Sequence, residues 1–433
     1  MCGRLHCWPT QNQPLAQPVR TASRGRANAA RDRRCRDARG RLRLTFVAAT
    51  CSLVLVFAGS GTPIPLFNTY RAEDGITNAD LALVSVVYLV AAASSLLVLG
   101  RLSNHLGRRP VAIAGLALAA LACLILTDTH TVHHLMAARL LQGLAVGIAA
   151  SALGSYAIDS APEHPRWLAA AVTGSAPIVG VPTGALLSGA LVGYAPAPRV
   201  LVYLVMTALL ACCIVLVALG RETVARRQGA LASLRPRLQV PQGSGRLLLA
   251  AGAVFVATWS FGSFYQSFGP AATAQWLGTT NPLVNAVVFS SVMVLGPLGG
   301  PVTGRLAPAT GLRLGMVLFM AAVVGAVAAL AHGAVLAFIT ASLVCGFAQG
   351  AASTGGIRAL LAGTQLEERA GLLATIYLIA YSSGALPGIV AGRLTGRFDL
   401  LQIAMGYAAL GVVASLVAIM AARNPPAAGR SAG

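Results

Sequence analysis

GRLSNHLGRRP, residues 100 to 110, is a charged loop punctuated by glycine between two long apolar runs, and an imperfect copy, GRLAPATGLRL, occupies residues 304 to 314. Gly100, Arg101, Leu102, Gly107 and Arg109 reappear as Gly304, Arg305, Leu306, Gly311 and Arg313, each 204 residues later. A polar loop that recurs half a chain apart, each time between membrane-length segments, predicts two homologous halves arranged as a parallel repeat. Three more echoes carry nearly the same offset. Gly75, Thr77 and Asn78 match Gly278, Thr280 and Asn281; Gln142 and Gly143 match Gln349 and Gly350; Gly180 and Gly184 match Gly384 and Gly388.

Outward from the two loops, about twelve apolar runs are long enough to cross a hydrocarbon core of roughly 30 Å as helices. They cover residues 44–66, 79–99, 111–127, 135–157, 168–192, 200–219, 247–268, 284–303, 314–331, 334–356, 372–392 and 401–421. With 56% hydrophobic and 10% charged residues and a mean hydropathy of +0.73, the chain is far below the roughly 25% charge of soluble proteins and reads as an all-α polytopic membrane protein. The net charge of +20 comes from 32 basic residues, all arginine, and they gather in the tail and in short loops. That distribution orients membrane helices by the positive-inside rule and argues against nucleic acid as a partner. It places both termini in the cytoplasm, with Arg71, Arg199, Arg393 and Arg397 on the outer side.

The resulting domain plan has five parts. Residues 1–43, with eleven arginines and no signal-peptide h-region, are expected to be a disordered cytoplasmic tail, or a stretch upstream of the true translation start. Residues 44–219 form the first six-helix bundle, 220–246 an arginine-rich cytoplasmic linker, 247–422 the second bundle, and 423–433 a short cytoplasmic tail. The eight cysteines lack metal-ligand spacing, so no metal or cofactor is expected.

Six plus six helices, a basic linker and this loop after the second helix closely resemble the major facilitator superfamily of secondary transporters. Within that family the loop resembles motif A: Gly100, Gly107, Arg108 and Arg109 match, while Asn104 replaces the usual Asp and His105 the usual Arg. RLLQGLAVG, residues 139–147, resembles motif B, and GVPTG, residues 180–184, is a degenerate relative of motif C. The combination implies the drug or metabolite exporter branch, coupled to protons, in the inner membrane of a bacterial-type cell. The resemblance also implies that a pair between Arg108 and Asp159 latches the outward-open state. With Asn104 in place of an Asp, the latch to the positive N-terminus of the eleventh helix should be weaker.

Arg139 is the one charge expected inside the membrane region, one turn before Gln142. An arginine in hydrocarbon needs a wet cavity or a partner, so it is expected to line the transport cavity, where it binds an anionic group or tunes a proton site. The competing expectation is that it snorkels to the outer surface beside His133 and His134. None of the twelve acidic residues falls deep in an apolar run; Asp80 and Asp128 are the nearest proton carriers, and both also suit helix caps. The cavity is expected between the first, fourth, seventh, tenth and eleventh helices. Its expected lining is Trp259, Phe264, Tyr265, Gln266, Gln349, Tyr377 and Tyr381, a mix of aromatic and polar groups that suits amphipathic solutes. The pairs Gly143/Gly147, Gly180/Gly184 and Gly384/Gly388 present small faces that let helices approach closely, for packing or for sliding.

The sequence thus predicts a monomeric secondary active transporter in the lipid bilayer that exports a small organic solute by proton antiport. A facilitator or importer, and a transport-inactive sensor on the same fold, are the alternatives. No phosphate loop, metal cluster or nucleophile triad points to an enzyme.

Overall fold

The computed structural model describes residues 21–424 except 163, 166, 167, 237, 241, 242 and 363, with only the backbone for 21–39, 366, 367 and 370. Twelve helices are long and apolar enough to cross a membrane. They are α1 (Thr21–Gly61), α2 (Asn78–Leu99), α3 (Arg108–Leu126), α4 (Val132–Ser160), α5 (Leu168–Tyr194) and α6 (Leu201–Leu219), then α7 (Gly245–Gln275), α8 (Pro282–Thr303), α9 (Pro308–Ala331), α10 (Val335–Ala362), α11 (Leu366–Leu394) and α12 (Leu400–Ala421). No strand occurs among the described residues. The helices form two six-helix bundles, in which equivalent turns follow one another in the same chain order.

The tail needs a correction. Residues 21–43, expected to be disordered, are helical and continue into α1, giving a helix of 41 residues, about 60 Å long. Alanine and arginine are good helix formers, and a helix already nucleated in the membrane propagates outward at little cost. Residues 1–20 and 425–433 lie outside the described residues.

Local chemistry sets the helix ends. Thr77 and Asp80 form a reciprocal capping box at the start of α2, and Asp399 with Gln402 forms another at α12. Asp80, one of the two candidate proton carriers, is therefore a cap: its carboxylate accepts from the Thr77 amide at 3.0 Å and from the Thr77 hydroxyl at 2.7 Å. Asn281 caps α8 at the equivalent place, after Gly278. Gly75 and Gly278 both adopt the left-handed conformation, with φ 67° and 66°, so the repeat extends to backbone geometry. Inside α8 the ladder breaks before Pro297, which lacks an N–H.

The side that carries residues 100–107 is called here the motif face. The two bundles meet on the face opposite to it. Asn68 donates to the Pro270 carbonyl at 2.8 Å across the halves. A Cβ at Gly388 would stand 3.0 Å from Val86, and one at Gly189 would stand 2.6 Å from Ala286. These positions occupy the half of α2 and α8, and of α5 and α11, that lies away from the motif face.

Candidate functional site

The loop between α2 and α3 is built around Gly107, whose φ of +99° would strain any other residue. Directly after it α3 begins, and the first free amides of that helix need acceptors. Glu222, from the linker, supplies them: its carboxylate accepts from the amides of Arg108 at 2.9 Å and Arg109 at 3.0 Å, and also from those of Thr223 and Val224. A carboxylate at a helix N-terminus is favoured by the dipole as well. Glu222 did not stand out in the sequence, because nothing there says that a linker glutamate folds back 114 residues.

Arg108 donates through Nε to Asp159 at 3.0 Å and through Nη1 to Ser103 and Asn104. The expected pair thus forms, but it joins the loop to α4 of its own bundle, and it is intact while the halves meet on the opposite face. It does not by itself tie one half to the other. Asn104 faces Arg108 and not α11, since its neutral amide gains most as an acceptor for a cation. Arg109 acts elsewhere, its guanidinium reaching the carbonyls of Ala218 and Gly220 at the C-terminus of α6. The motif-face end of α11 is met instead by the linker, where Gln239 donates its amide to Gly371 and accepts from the Thr375 hydroxyl at 3.2 Å.

Arg139 is fully buried, which rules out snorkelling in this structure. One nitrogen, Nη1, donates to the Ser60 carbonyl at 2.8 Å and to Gln142 Oε1 at 3.0 Å, and the guanidinium lies over the Tyr88 ring, 4.3 Å from its centre. Gln142 in turn donates to the Gly59 carbonyl at 2.9 Å. That carbonyl is available because its helical partner four residues on is Pro63, which has no N–H to give. Nε and Nη2 of Arg139 have no partner, and among the described residues no carboxylate pairs with the cation. Tyr88 was missed in the sequence, since an aromatic within an apolar run carries no mark of which distant residue it will cover.

The second bundle divides the expected cavity residues. Trp259 and Tyr381 are half-buried and meet edge to face with centroids 5.0 Å apart. Tyr377 lies one turn from Tyr381 on the same face of α11 and is 45% exposed. Gln266 and Gln349 are half-buried, and their side-chain amides make no hydrogen bond among the described residues. Phe264 and Tyr265 are corrections. Both are buried in the bundle interior, Phe264 against Phe268 and Tyr407, and Tyr265 stacked on Phe338 with its hydroxyl on Ser342. The sequence could not tell them from cavity residues because α7 is apolar all round, so no stripe marks its outward face.

The glycine pairs all sit at close helix contacts, but not of one kind. A Cβ at Gly143 would meet Ala91 at 2.7 Å and one at Gly147 would meet Ser95 at 2.6 Å, both on α2. Gly180 and Gly184 face the backbone of α1 at Val54 and Ala58. Gly384 and Gly388 face Leu89 and Val86 across the halves.

On the opposite face, Arg199 pairs with Glu73 at 2.6 Å and with the nearly buried Asp74 at 2.5 Å, and His130 joins Asp74 at 3.2 Å and Asp128 at 3.4 Å. Burial alone would lower the pKa of Arg199, but the hydrogen bonds it donates to Asp74 and Glu73 outweigh that and raise it. The cluster ties the short helix Phe67–Asp74, which follows α1, to the loops after α3 and before α6 within the first bundle, and it accounts for Asp128, the other expected proton carrier.

The family model described as Major Facilitator Superfamily matches residues 49–388. The multidrug resistance protein MdtL of Klebsiella pneumoniae is 38% identical over 104 residues, 24% of this chain and 26% of that protein. The quinolone resistance protein NorA of Staphylococcus aureus is 24% identical over 115 residues, 27% of this chain and 30% of that protein. The matches therefore span less than a third of the length of these curated relatives. The crystal structure of the nucleoside transporter NupG superposes with a TM-score of 0.66 at 14% identity, over 88% of this chain and all of the other, a likeness of fold.

Proposed function

The chain belongs to the Major Facilitator Superfamily, and on that premise we propose that it is a secondary active transporter that exports a small organic solute through alternating access, driven by proton antiport. Members of the family are transporters and not enzymes. The observation that carries the reading is the tight packing of the two bundles in the half away from the motif face, with a fully buried and unneutralised Arg139 between α1, α2 and α4. A charge placed in a bundle core without a counter-ion costs stability, and such residues in membrane proteins belong to solute or ion pathways.

In this reading the motif face is cytoplasmic, as are both termini, because the loops on that side carry most of the arginines. The structure is then open to the inside, in the inner membrane of a bacterial-type cell, and works as a monomer. The bundles are residues 44–219 and 247–422, joined by the linker 220–246. Trp259, Gln266, Gln349, Tyr377 and Tyr381 line the solute path, with Arg139 and Gln142 as the polar element behind it. The loop of Gly100, Asn104, Gly107, Arg108 and Arg109, with Asp159, keeps the first bundle rigid as it rocks. MdtL and NorA, named for multidrug and quinolone resistance, support efflux as the direction.

Facilitated diffusion is the second reading. It is favoured by one observation, that each described carboxylate lies near a helix end or in a loop, where a proton carrier would have little access to the solute path. Uptake of labelled solutes into energised inverted vesicles holding the purified protein separates the two. Accumulation that collapses when the proton gradient is removed supports proton-coupled export. Equilibration that ignores the gradient supports the facilitator, and no movement of any solute in a broad panel overturns the transporter reading.

A further inference from the structure

We infer that the solute path selects by charge, favouring amphipathic solutes that carry an oxyanion such as a carboxylate or sulfonate over lipophilic cations, and that Arg139 sets this preference. The inference rests on the transporter reading above. Three observations carry it.

First, Arg139 is the only charged side chain among the described residues that is both fully buried and within the membrane-spanning part of a helix. It stands seven residues into α4, about 10 Å from the end of that helix. Second, the described carboxylates are remote from it. Glu73, Asp74, Asp80, Asp128 and Asp399 gather at the opposite face and Asp159, Glu222 and Glu368 at the motif face. Nothing ionic cancels the field of the guanidinium, and in a medium of low dielectric that field acts over more than one residue diameter. Third, the guanidinium has unused donors. Ser60 and Gln142 take Nη1, whereas Nε and Nη2 are buried without an acceptor. Buried donors left unmade are costly, and two N–H groups on one edge of an arginine match the two oxygens of an oxyanion.

Tyr88 separates this charge from the contact between α2 and α11. Its ring covers the guanidinium at 4.3 Å and is itself 8% exposed. A ring turn that uncovers Nε and Nη2 would let an anionic group reach them, while the closed ring still transmits a repulsive field to a cation. The same arrangement leaves neutral solutes neither favoured nor excluded.

The test uses the full-length purified protein and three probes of one shape: 2-naphthalenesulfonate, neutral 2-naphthalenesulfonamide and 2-naphthyltrimethylammonium, with binding read by equilibrium dialysis. The expected order is sulfonate, sulfonamide, ammonium, with the first at least about tenfold tighter than the last. Arg139→Gln should shrink that ratio to within about threefold, and Arg139→Lys should keep most of it. The wild-type ranking decides the matter even where a variant fails to fold. Equal or tighter binding of the ammonium, failure to bind any probe, or an unchanged ratio in Arg139→Gln overturns the inference. Counterflow in proteoliposomes separates the two layers. Movement of the ammonium probe as readily as the sulfonate sinks the charge preference and leaves a transporter, whereas charge-ordered binding with no solute moved in the vesicle assay sinks the transporter reading alone.

Discussion

The loop at 100–110 and its copy at 304–314 match in sequence at five positions but share only some of their contacts. Arg109 and Arg313, 204 residues apart, both cap the last helix of their own bundle: Arg109 on Ala218 and Gly220 of α6, Arg313 on Ile419 and Ala422 of α12. Among the described residues, the ionic contacts are found in the first bundle. There Arg108 pairs with Asp159 and the Glu222 carboxylate holds the start of α3, whereas at the start of α9 Pro308 has no N–H to offer, the neutral Asn424 side chain accepts from the Ala309 amide at 3.1 Å, and Arg358 donates to the carbonyls of Gly304 and Leu306. Gly107 is held at positive φ, while Gly311 lies inside α9. The repeat preserves what satisfies backbone carbonyls in each bundle and lets the charges diverge where the halves act differently. The glycine pairs teach the same lesson. Gly180 and Gly184 serve packing inside a bundle, and their equivalents Gly384 and Gly388 serve the contact between bundles.

The largest break in the comparison should come from those glycines. Gly184→Leu must push the α1 backbone at Ala58 aside and is expected to cost about 3 kcal/mol or to prevent folding. Gly388→Leu meets side chains that can move, Val86 at 3.0 Å and Ser263 at 3.6 Å from its Cβ, so it should cost about 1 kcal/mol and show itself in a slowed transport rate; thermal melting beside initial rates checks both. Next is Glu222→Gln, which weakens a carboxylate that accepts from four amides and should lower stability by about 2 kcal/mol. Among the described residues no linker carboxylate has that place in the second bundle, so a loss below a few tenths would show that the asymmetry has no energetic content. Arg109→Ala and Arg313→Ala should each cost about 0.3–1 kcal/mol and match one another; a difference well above about 1 kcal/mol would undo the claim that the two arginines are equivalent.

Asn104→Asp is the smallest. A carboxylate beside Arg108 in this partly exposed site is expected to add a few tenths of a kcal/mol and to bias the protein toward opening on the face opposite the loop. Equal labelling of engineered cysteines on both faces, before and after the change, would show that the loop does not bias the states.

The fold could be read from the sequence to within a few residues at most helix ends, because hydropathy over a membrane-length window is a strong signal and the repeated glycines and caps repeat their geometry. The site was less legible for reasons that individual residues make plain. Arg139 announced itself as a charge in an apolar run, but its burial under Tyr88 depends on how α2 crosses α4. Phe264 and Tyr265 looked like cavity residues because composition does not say which side of α7 faces its own bundle. Glu222 and the clasp of Arg199 with Asp74 bring together residues more than a hundred positions apart, and no local pattern records such a meeting. The arginine tail misled by composition, since charge suggested disorder where a helix already formed continues outward.

The deepest difference between the halves is Arg139 itself, whose counterpart in the register that pairs Gln142 with Gln349, 207 residues on, is Gly346. The first bundle is taken to hold an unneutralised cation for transport and at a cost in stability. Paired measurement of melting temperature and solute transport for Arg139→Met tests this most directly. An apolar residue of similar length removes the buried charge, so the melting temperature should hold or rise while transport falls to background. Transport that persists in a stable Arg139→Met protein would contradict the account, as would a melting temperature that drops in step with activity.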